Sequence, residues 1–179
     1  MKHLVLSCML LFSLSSMTGC AQKSQQASSS RQQDSVAWKV CALPSTVLPE
    51  KLMDSFKSLA PGKALVIDFW ATWCGPCRAA MNSIAPIKKE MAGKDIVFLY
   101  VTGETSPQNT WQQAIRTISG YHVRLTDFQY RNLFNQLGIM GIPTYMVLDR
   151  KGNIVYDNIA TGGYPGDDIM KAAIEKALQ

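Results

Sequence analysis

An apolar run, Leu65-Val66-Ile67-Asp68-Phe69-Trp70-Ala71, leads within three residues into Cys74-Gly75-Pro76-Cys77. The run is short and bulky, β-branched at Val66 and Ile67, and reads as a buried strand. Gly75-Pro76 breaks it. Proline is tolerated in the first helical turn, where its missing N–H had no partner to lose. The spacing therefore predicts a helix that opens at Cys74, with Cys77 one turn further in. Residues three apart share a helical face, which suits a disulfide whose Cα atoms lie ~4.4–6.8 Å apart. The partial positive charge of the helix N-terminus favours a thiolate on Cys74, with a pKa below the ~8.5 of a free thiol. Cys77, further inside, stays a shielded thiol. One attacking and one resolving sulfur make a dithiol–disulfide exchange site. Asp68 is the odd residue in the strand, because a carboxylate inside an apolar run is costly unless it has a task. Six residues before Cys74, it is a candidate to lie beneath the pair and move the proton of Cys77.

Other uses of a Cys-x-x-Cys pair fit less well. A zinc site wants four ligands, commonly two such pairs or added histidines; past the N-terminal region only His122 and Cys41 remain. Arg78, not histidine, follows the pair, so it is not a haem-attachment site. No metal and no cofactor are expected. A merely structural disulfide is the bland alternative in an exported protein. Cys41 reads as a small buried hydrophobe, and Trp70 and Trp111 as core or rim residues.

Val66-Ile67-Asp68-Phe69-Trp70-Ala71-Thr72-Trp73-Cys74-Gly75-Pro76-Cys77 resembles the active-site segment of thioredoxins, and Gly141-Ile142-Pro143-Thr144 resembles that family's cis-proline loop. The two distant motifs occur in the family's order, and the resemblance covers roughly Lys63 to the C-terminus. It implies an α/β thioredoxin fold, a mixed central β-sheet flanked by helices. It also implies a redox-active Cys74–Cys77 disulfide served by Asp68. Trp73, Gly75 and Pro76 would touch substrate at the mouth of the site, and the Ile142-Pro143 backbone would pair with an extended client. Where thioredoxins commonly carry a helix-kinking proline soon after the second cysteine, this chain has Asn82, and Pro86 comes later, so the kink is expected further down the helix.

The segment after the next predicted strand, Ile96 to Val101, is longer than plain thioredoxin needs. Ser106-Pro107 reads as an N-cap and first-turn proline. Trp111, Ala114, Ile115 and Ile118 share a helical face, and His122 to Leu125 reads as an extra strand. This insertion, about 103–125, resembles the central insertion of the TlpA/ResA-like oxidoreductases, membrane-tethered extracytoplasmic relatives of thioredoxin. Such relatives place a glutamate near the cysteine pair, which nominates Glu104 as a second catalytic carboxylate. The plain alternative is a solvated loop residue.

The N-terminus points to the same compartment. Lys2 and His3 precede an apolar stretch, Leu4 to Leu14, too short for a comfortable membrane span. Ser16-Met17-Thr18-Gly19-Cys20 follows and resembles a bacterial lipobox, with Met17 where leucine is usual. The expected product is a lipoprotein with a signal peptide over 1–19, cut before Cys20 and acylated there, since several acyl chains anchor stably. Cys8 falls in the leader. Residues 20–35 form the lipidated cysteine and a Ser/Gln-rich flexible tether, and 36–179 the thioredoxin-like domain. The formal charge of +5 has no clustered basic stripe behind it, so nucleic-acid binding is not expected.

The remaining elements follow from periodicity. Val36 to Cys41 is an edge-strand candidate, and Leu48 to Leu59 an amphipathic helix. Asp127 to Leu137 is a helix with Phe128, Leu133, Phe134 and Leu137 inward, ended by Gly138. Tyr145 to Leu148 and Ile154 to Ile159 form a hairpin about residues 149–153, and Asp167 to Leu178 is a closing helix. The expectation is a lipid-anchored protein-disulfide reductase of the cell envelope, its domain in the periplasm. Its partners would be disulfide-bearing client proteins, a membrane electron donor of the DsbD or CcdA type, and the lipid membrane through Cys20. A thioredoxin-fold peroxidase of the peroxiredoxin type and a non-catalytic binding or chaperone module are the alternatives.

Overall fold

The computed structural model describes residues 37–179. The leader, Cys20 and the tether lie outside the described residues. Six strands form one sheet: β1 Trp38–Val40, β2 Ala64–Phe69, β3 Ile96–Thr102, β4 Gly120–Arg124, β5 Thr144–Leu148 and β6 Ile154–Asp157, in the order β1-β4-β3-β2-β5-β6. Strands β1, β4, β3 and β2 run parallel, and β5 and β6 are antiparallel to their neighbours. Five helices complete the domain: α1 Leu52–Ser58, α2 Gly75–Glu90, α3 Gln108–Ala114, α4 Asp127–Leu137 and α5 Asp167–Leu178. The expected mixed sheet flanked by helices is present, and the insertion supplies α3 and β4. Among the described residues no helix is long and apolar enough to cross a membrane.

Alternation along β2 divides the core. Ala64, Val66 and the adjoining Trp70 pack with α2, α3 and α5 through Ile84, Trp111 and Ile174. Leu65, Ile67 and Phe69 pack on the other face with Leu52 and Phe56 of α1 and Leu133 of α4. A strand buried on both faces needs a continuous apolar run, so the single charged residue, Asp68, falls by register on the Val66–Trp70 side. Its strand partners there are Tyr100 and Tyr145.

Three local expectations change. Ser106 is not an N-cap: Pro107 occupies that position, and no side chain caps α3. The Ser106 hydroxyl is instead buried beside the active-site loop, as described below. Phe128 is 65% exposed rather than inward; it is the second residue of α4, ahead of the stripe that meets the sheet. The cap of α4 is Thr126, whose hydroxyl accepts from Gln129 N–H while the Gln129 side chain accepts from Thr126 N–H, a capping box the sequence shows as T-x-x-Q. Finally, β6 ends at Asp157, because Asn158 turns its side chain back into the sheet.

Gly120 opens β4 with φ 127°, and a Cβ there would lie 2.6 Å from the Phe98 carbonyl and 3.0 Å from the Tyr100 ring. Gly93 also has a positive φ, 79°, but open space around it. Gly120→Ala should therefore cost more than about 2 kcal/mol, and Gly93→Ala about 1 kcal/mol. Urea denaturation of the two variants measures the difference; equal losses would show that crowding at the start of β4 is unimportant.

Candidate active site

The sequence leading out of β2 is held in place before the sulfurs are reached. Trp70 N–H donates to the Val101 carbonyl at 3.0 Å, and Cys74 N–H to the Ala71 carbonyl at 3.0 Å. Between them, Thr72 N–H donates to the buried Ser106 Oγ at 3.0 Å, which also lies 2.7 Å from Thr102 Oγ1 at the end of β3. The inserted segment thus supplies a side chain that fixes the loop before Cys74. Sequence reasoning assigned Ser106 to a helix cap because Ser-Pro is a common helix start, and no periodic signal marks its true partner.

Cys74 is the N-cap of α2 and Cys77 lies in its first turn. They form a disulfide with Cα atoms 5.3 Å apart. Cys74 Sγ accepts from Cys77 N–H at 3.1 Å. A sulfur at the positive end of a 16-residue helix, already receiving a backbone N–H, is favoured as an anion once reduced. Exposure is 4% for Cys74 and 0% for Cys77. Cys74 is the less buried of the two, though it is more sunken than the sequence suggests; its neighbour Trp73, 63% exposed, stands at the surface instead.

The opposite wall is the loop before β5. The Ile142–Pro143 peptide is cis, and the Ile142 carbonyl lies 3.9 Å from Cys74 Sγ. This loop is clamped from behind. Asn158 Oδ1 accepts from Tyr145 N–H at 2.7 Å, Asn158 Nδ2 donates to the Gly163 carbonyl at 2.6 Å, and Gly163 N–H donates to the Pro143 carbonyl at 2.7 Å. Met140, 91% exposed, flanks it. Exposed Gly75 and Pro76 begin α2 on the other side.

Asp68 is buried, and neither carboxylate oxygen has a hydrogen-bond partner among the described residues. Burial is the main reason its pKa rises to about 8; the nearby Lys88 cation opposes the rise, and the Tyr145 hydroxyl, close without reaching hydrogen-bond geometry, opposes it less. Lys88 is the residue that sequence reasoning missed. Its own pKa falls to about 8 through burial, with Asp68 pulling the other way. Its ammonium donates to Tyr100 Oη at 2.8 Å and to the Ser119 carbonyl of the insertion. Tyr100 stacks on the buried His122, ring centroids 5.1 Å apart, and burial lowers that imidazole to about 4. A signal existed: Lys88 continues the stripe Cys77, Ile84 at helical spacing, so a charge fell on an apolar face.

Glu104 is placed elsewhere. Its exposed carboxylate accepts from Asp127 N–H, the first of α4, at 2.9 Å. That is an N-terminal helix contact, and none of its hydrogen bonds joins it to the sulfurs. Cys41 is buried in the opposite half of the core, with its thiol pushed up by burial.

The carboxyl of folded Asp68 holds its proton to about pH 8, whereas an unfolded aspartate releases it near ~3.9. Between these limits the folded state binds more protons, so stability falls as pH rises through the window. In the oxidised protein, Asp68→Asn should therefore raise stability at pH 9 by on the order of 2–3 kcal/mol and flatten the profile below it. Denaturant titrations at pH 5 and pH 9 check this; a variant no more stable than wild type at pH 9 would mean that ionised Asp68 carries no penalty.

Comparison with known proteins agrees with this arrangement. The Redoxin family profile matches residues 41–174. The chain is 31% identical over 127 residues to the chloroplastic M-type thioredoxin of Chlamydomonas reinhardtii, covering 70% of each. It is 32% identical over 108 residues to the thioredoxin-like protein YneN of Bacillus subtilis, covering 57% of this chain and 59% of that one. The crystal structure of a thiol:disulfide interchange protein of the thioredoxin family from Chlorobium tepidum superposes with a TM-score of 0.55 at 25% identity, over 69% of this chain and 85% of that one. With a Cys74–Cys77 disulfide at the head of α2, the chain belongs to the Redoxin family within the thioredoxin superfamily and is a thiol–disulfide oxidoreductase.

Proposed function

We propose that the protein is an extracytoplasmic, membrane-tethered reductase of disulfides in client proteins. The observation that carries the direction of attack is the inequality of the two cysteines: Cys74 caps the N-terminus of α2 and keeps 4% exposure, and Cys77, one turn further in, has none. In the reduced enzyme the Cys74 thiolate attacks one sulfur of the client disulfide. A mixed disulfide forms and one client thiolate leaves. Cys77 gives its proton to ionised Asp68, and its thiolate then attacks Cys74 Sγ. The second client thiolate leaves, two electrons have passed to the client, and the Cys74–Cys77 disulfide remains. With its pKa raised to about 8, Asp68 is a stronger base than an ordinary carboxylate and so better suited to accept a proton from a thiol. Trp73 and Met140, large and exposed on either side of Cys74 and Ile142, supply an apolar landing surface for a polypeptide.

Two measurements test the assignment. Cys77→Ser should accumulate mixed disulfides through Cys74 and release them only with added thiol. The wild-type potential should lie near the ~−270 mV of thioredoxin and far from the ~−120 mV of DsbA. A DsbA-like potential would make the protein an oxidant or isomerase.

The location rests on the leader-like stretch Leu4 to Leu14, the lipobox-like residues before Cys20 and the TlpA/ResA-like insertion. A reductase in an oxidising compartment needs a supply of electrons from across the membrane, which is the task of a donor of the DsbD or CcdA type. Cys20→Ser should move the protein from the membrane fraction to the soluble one. A wild-type mature chain without lipid mass would end the claim of a lipid anchor.

A further inference from the structure

A cavity of about 960 Å³ opens between α2 and the end of the inserted segment. Its lining residues on α2 run from Gly75, beside the disulfide, to Ala92 just past the helix end. At 1.5 Å per residue that is a trough about 25 Å long, too elongated for a compact small molecule and suited to seven or eight residues of extended chain.

Its chemistry is one-sided. Arg78, Lys88 and Lys89 line it, and no aspartate or glutamate does. Glu90, the acid next along α2, is tied to Lys171 of α5 at 2.6 Å. Lys88 commits two of its three N–H groups, to Tyr100 and Ser119, and the third has no partner among the described residues. Trp70 lines the same trough, and its buried indole N–H is also without a partner there. Ala79, Ala85 and Ile118 add apolar lining among the cations. The trough also offers backbone. Pro86, inside α2, has no N–H to give the carbonyl of Asn82, a lining residue, so that carbonyl is left as an acceptor.

We propose that this trough receives an extended acidic segment of the client polypeptide, next to the disulfide that Cys74 attacks. Carboxylates would meet Arg78, Lys88 and Lys89, apolar side chains would lie against the alanine-lined wall, and a backbone N–H would reach the Asn82 carbonyl. The inference rests on the reductase reading for the occupant's identity and deepens it to a substrate class, clients carrying acidic residues near the reducible bond. Exposed amide donors favour a peptide over an anionic lipid surface, which has none to offer Asn82.

The test separates binding from turnover. A fluorescein-labelled, cysteine-free octapeptide of alternating Glu and Leu is titrated into the oxidised protein and followed by anisotropy, beside the same peptide with Lys for Glu. The acidic peptide should bind at least tenfold more tightly, lose that advantage as salt is raised, and be weakened at least fivefold by Lys89→Glu, an exposed substitution whose melting curve verifies folding. Equal binding of the two peptides, no binding of either, or indifference to Lys89→Glu overturns the proposal. So does tight binding to phosphatidylglycerol vesicles with none to the acidic peptide. In the second arm, peptides with acidic or basic flanks about one disulfide are compared with hydroxyethyl disulfide. Acidic flanks should lower KM at least threefold. Reduction of hydroxyethyl disulfide without discrimination between the peptides would refute the trough alone. Binding of the acidic octapeptide by a protein that reduces no disulfide would refute the reductase reading and leave the trough standing.

Discussion

A carboxyl group buried in the central strand of the sheet sets the terms for the rest of this domain. Asp68 lies on the face of β2 that carries α2, between Tyr100 and Tyr145, with no hydrogen bond of its own. Leaving a charge there uncompensated would cost several kcal/mol. The fold keeps the cost tolerable in two ways. The carboxyl stays protonated to about pH 8, and the cation of Lys88 comes in from the third turn after Cys77. That cation is itself expensive to bury. Its hydrogen bonds come from Tyr100 on β3 and from the Ser119 carbonyl of the insertion, so the inserted segment is tied electrostatically to the core beneath the disulfide.

The same segment reaches the site a second time. Ser106 receives Thr72 N–H and so fixes the turn between β2 and Cys74, while Arg124 Nε donates to the Ser106 carbonyl at 2.9 Å. On the far side, Asn158 and Gly163 hold the Pro143 loop. The geometry at the sulfurs is therefore set by three separate pieces of chain: the head of α2, the insertion, and the loop before β5 braced by residues after β6. Their hydrogen bonds lie within a protein interior, where a satisfied polar network is rigid and a broken one costly.

The strand, the helix opening at Cys74, the place of Cys77 one turn further in and the odd carboxylate at 68 were all legible in the sequence, because each breaks or obeys a local period. Helices α4 and α5 were legible to the residue for the same reason. What escaped is non-local. Ser106 looks like a cap in sequence, and only the fold brings Thr72 to it. Glu104 was assigned by analogy to the thiols, whereas the chain uses it to satisfy the start of α4. Phe128 matches the helical stripe in type but sits in the first turn, where it is solvated. Lys88 was visible as a charge on an apolar stripe, but its partners, Tyr100 across the sheet and Ser119 in the insertion, depend on register that no single segment encodes.

Lys88 also joins the two halves of the site. Its charge acts on the buried Asp68 carboxyl, and the residue lines the trough beside α2. That charge lowers the proton affinity of Asp68 and so favours the ionised form, the one that would take the proton of Cys77 in the proposed reaction. An anionic group arriving in the trough would share that charge and let the affinity of Asp68 rise. Occupancy of the trough and basicity of Asp68 are then coupled through one cation, and coupling of this kind is reciprocal. A carboxylate docked beside Lys88 would raise the proton affinity of Asp68 further and so reduce the fraction ionised at neutral pH. With Asp68 protonated, its competing charge is absent and Lys88 would hold a docked carboxylate more strongly. The placement of one lysine on the apolar face of α2 would thus couple occupancy of the trough to the protonation state of Asp68.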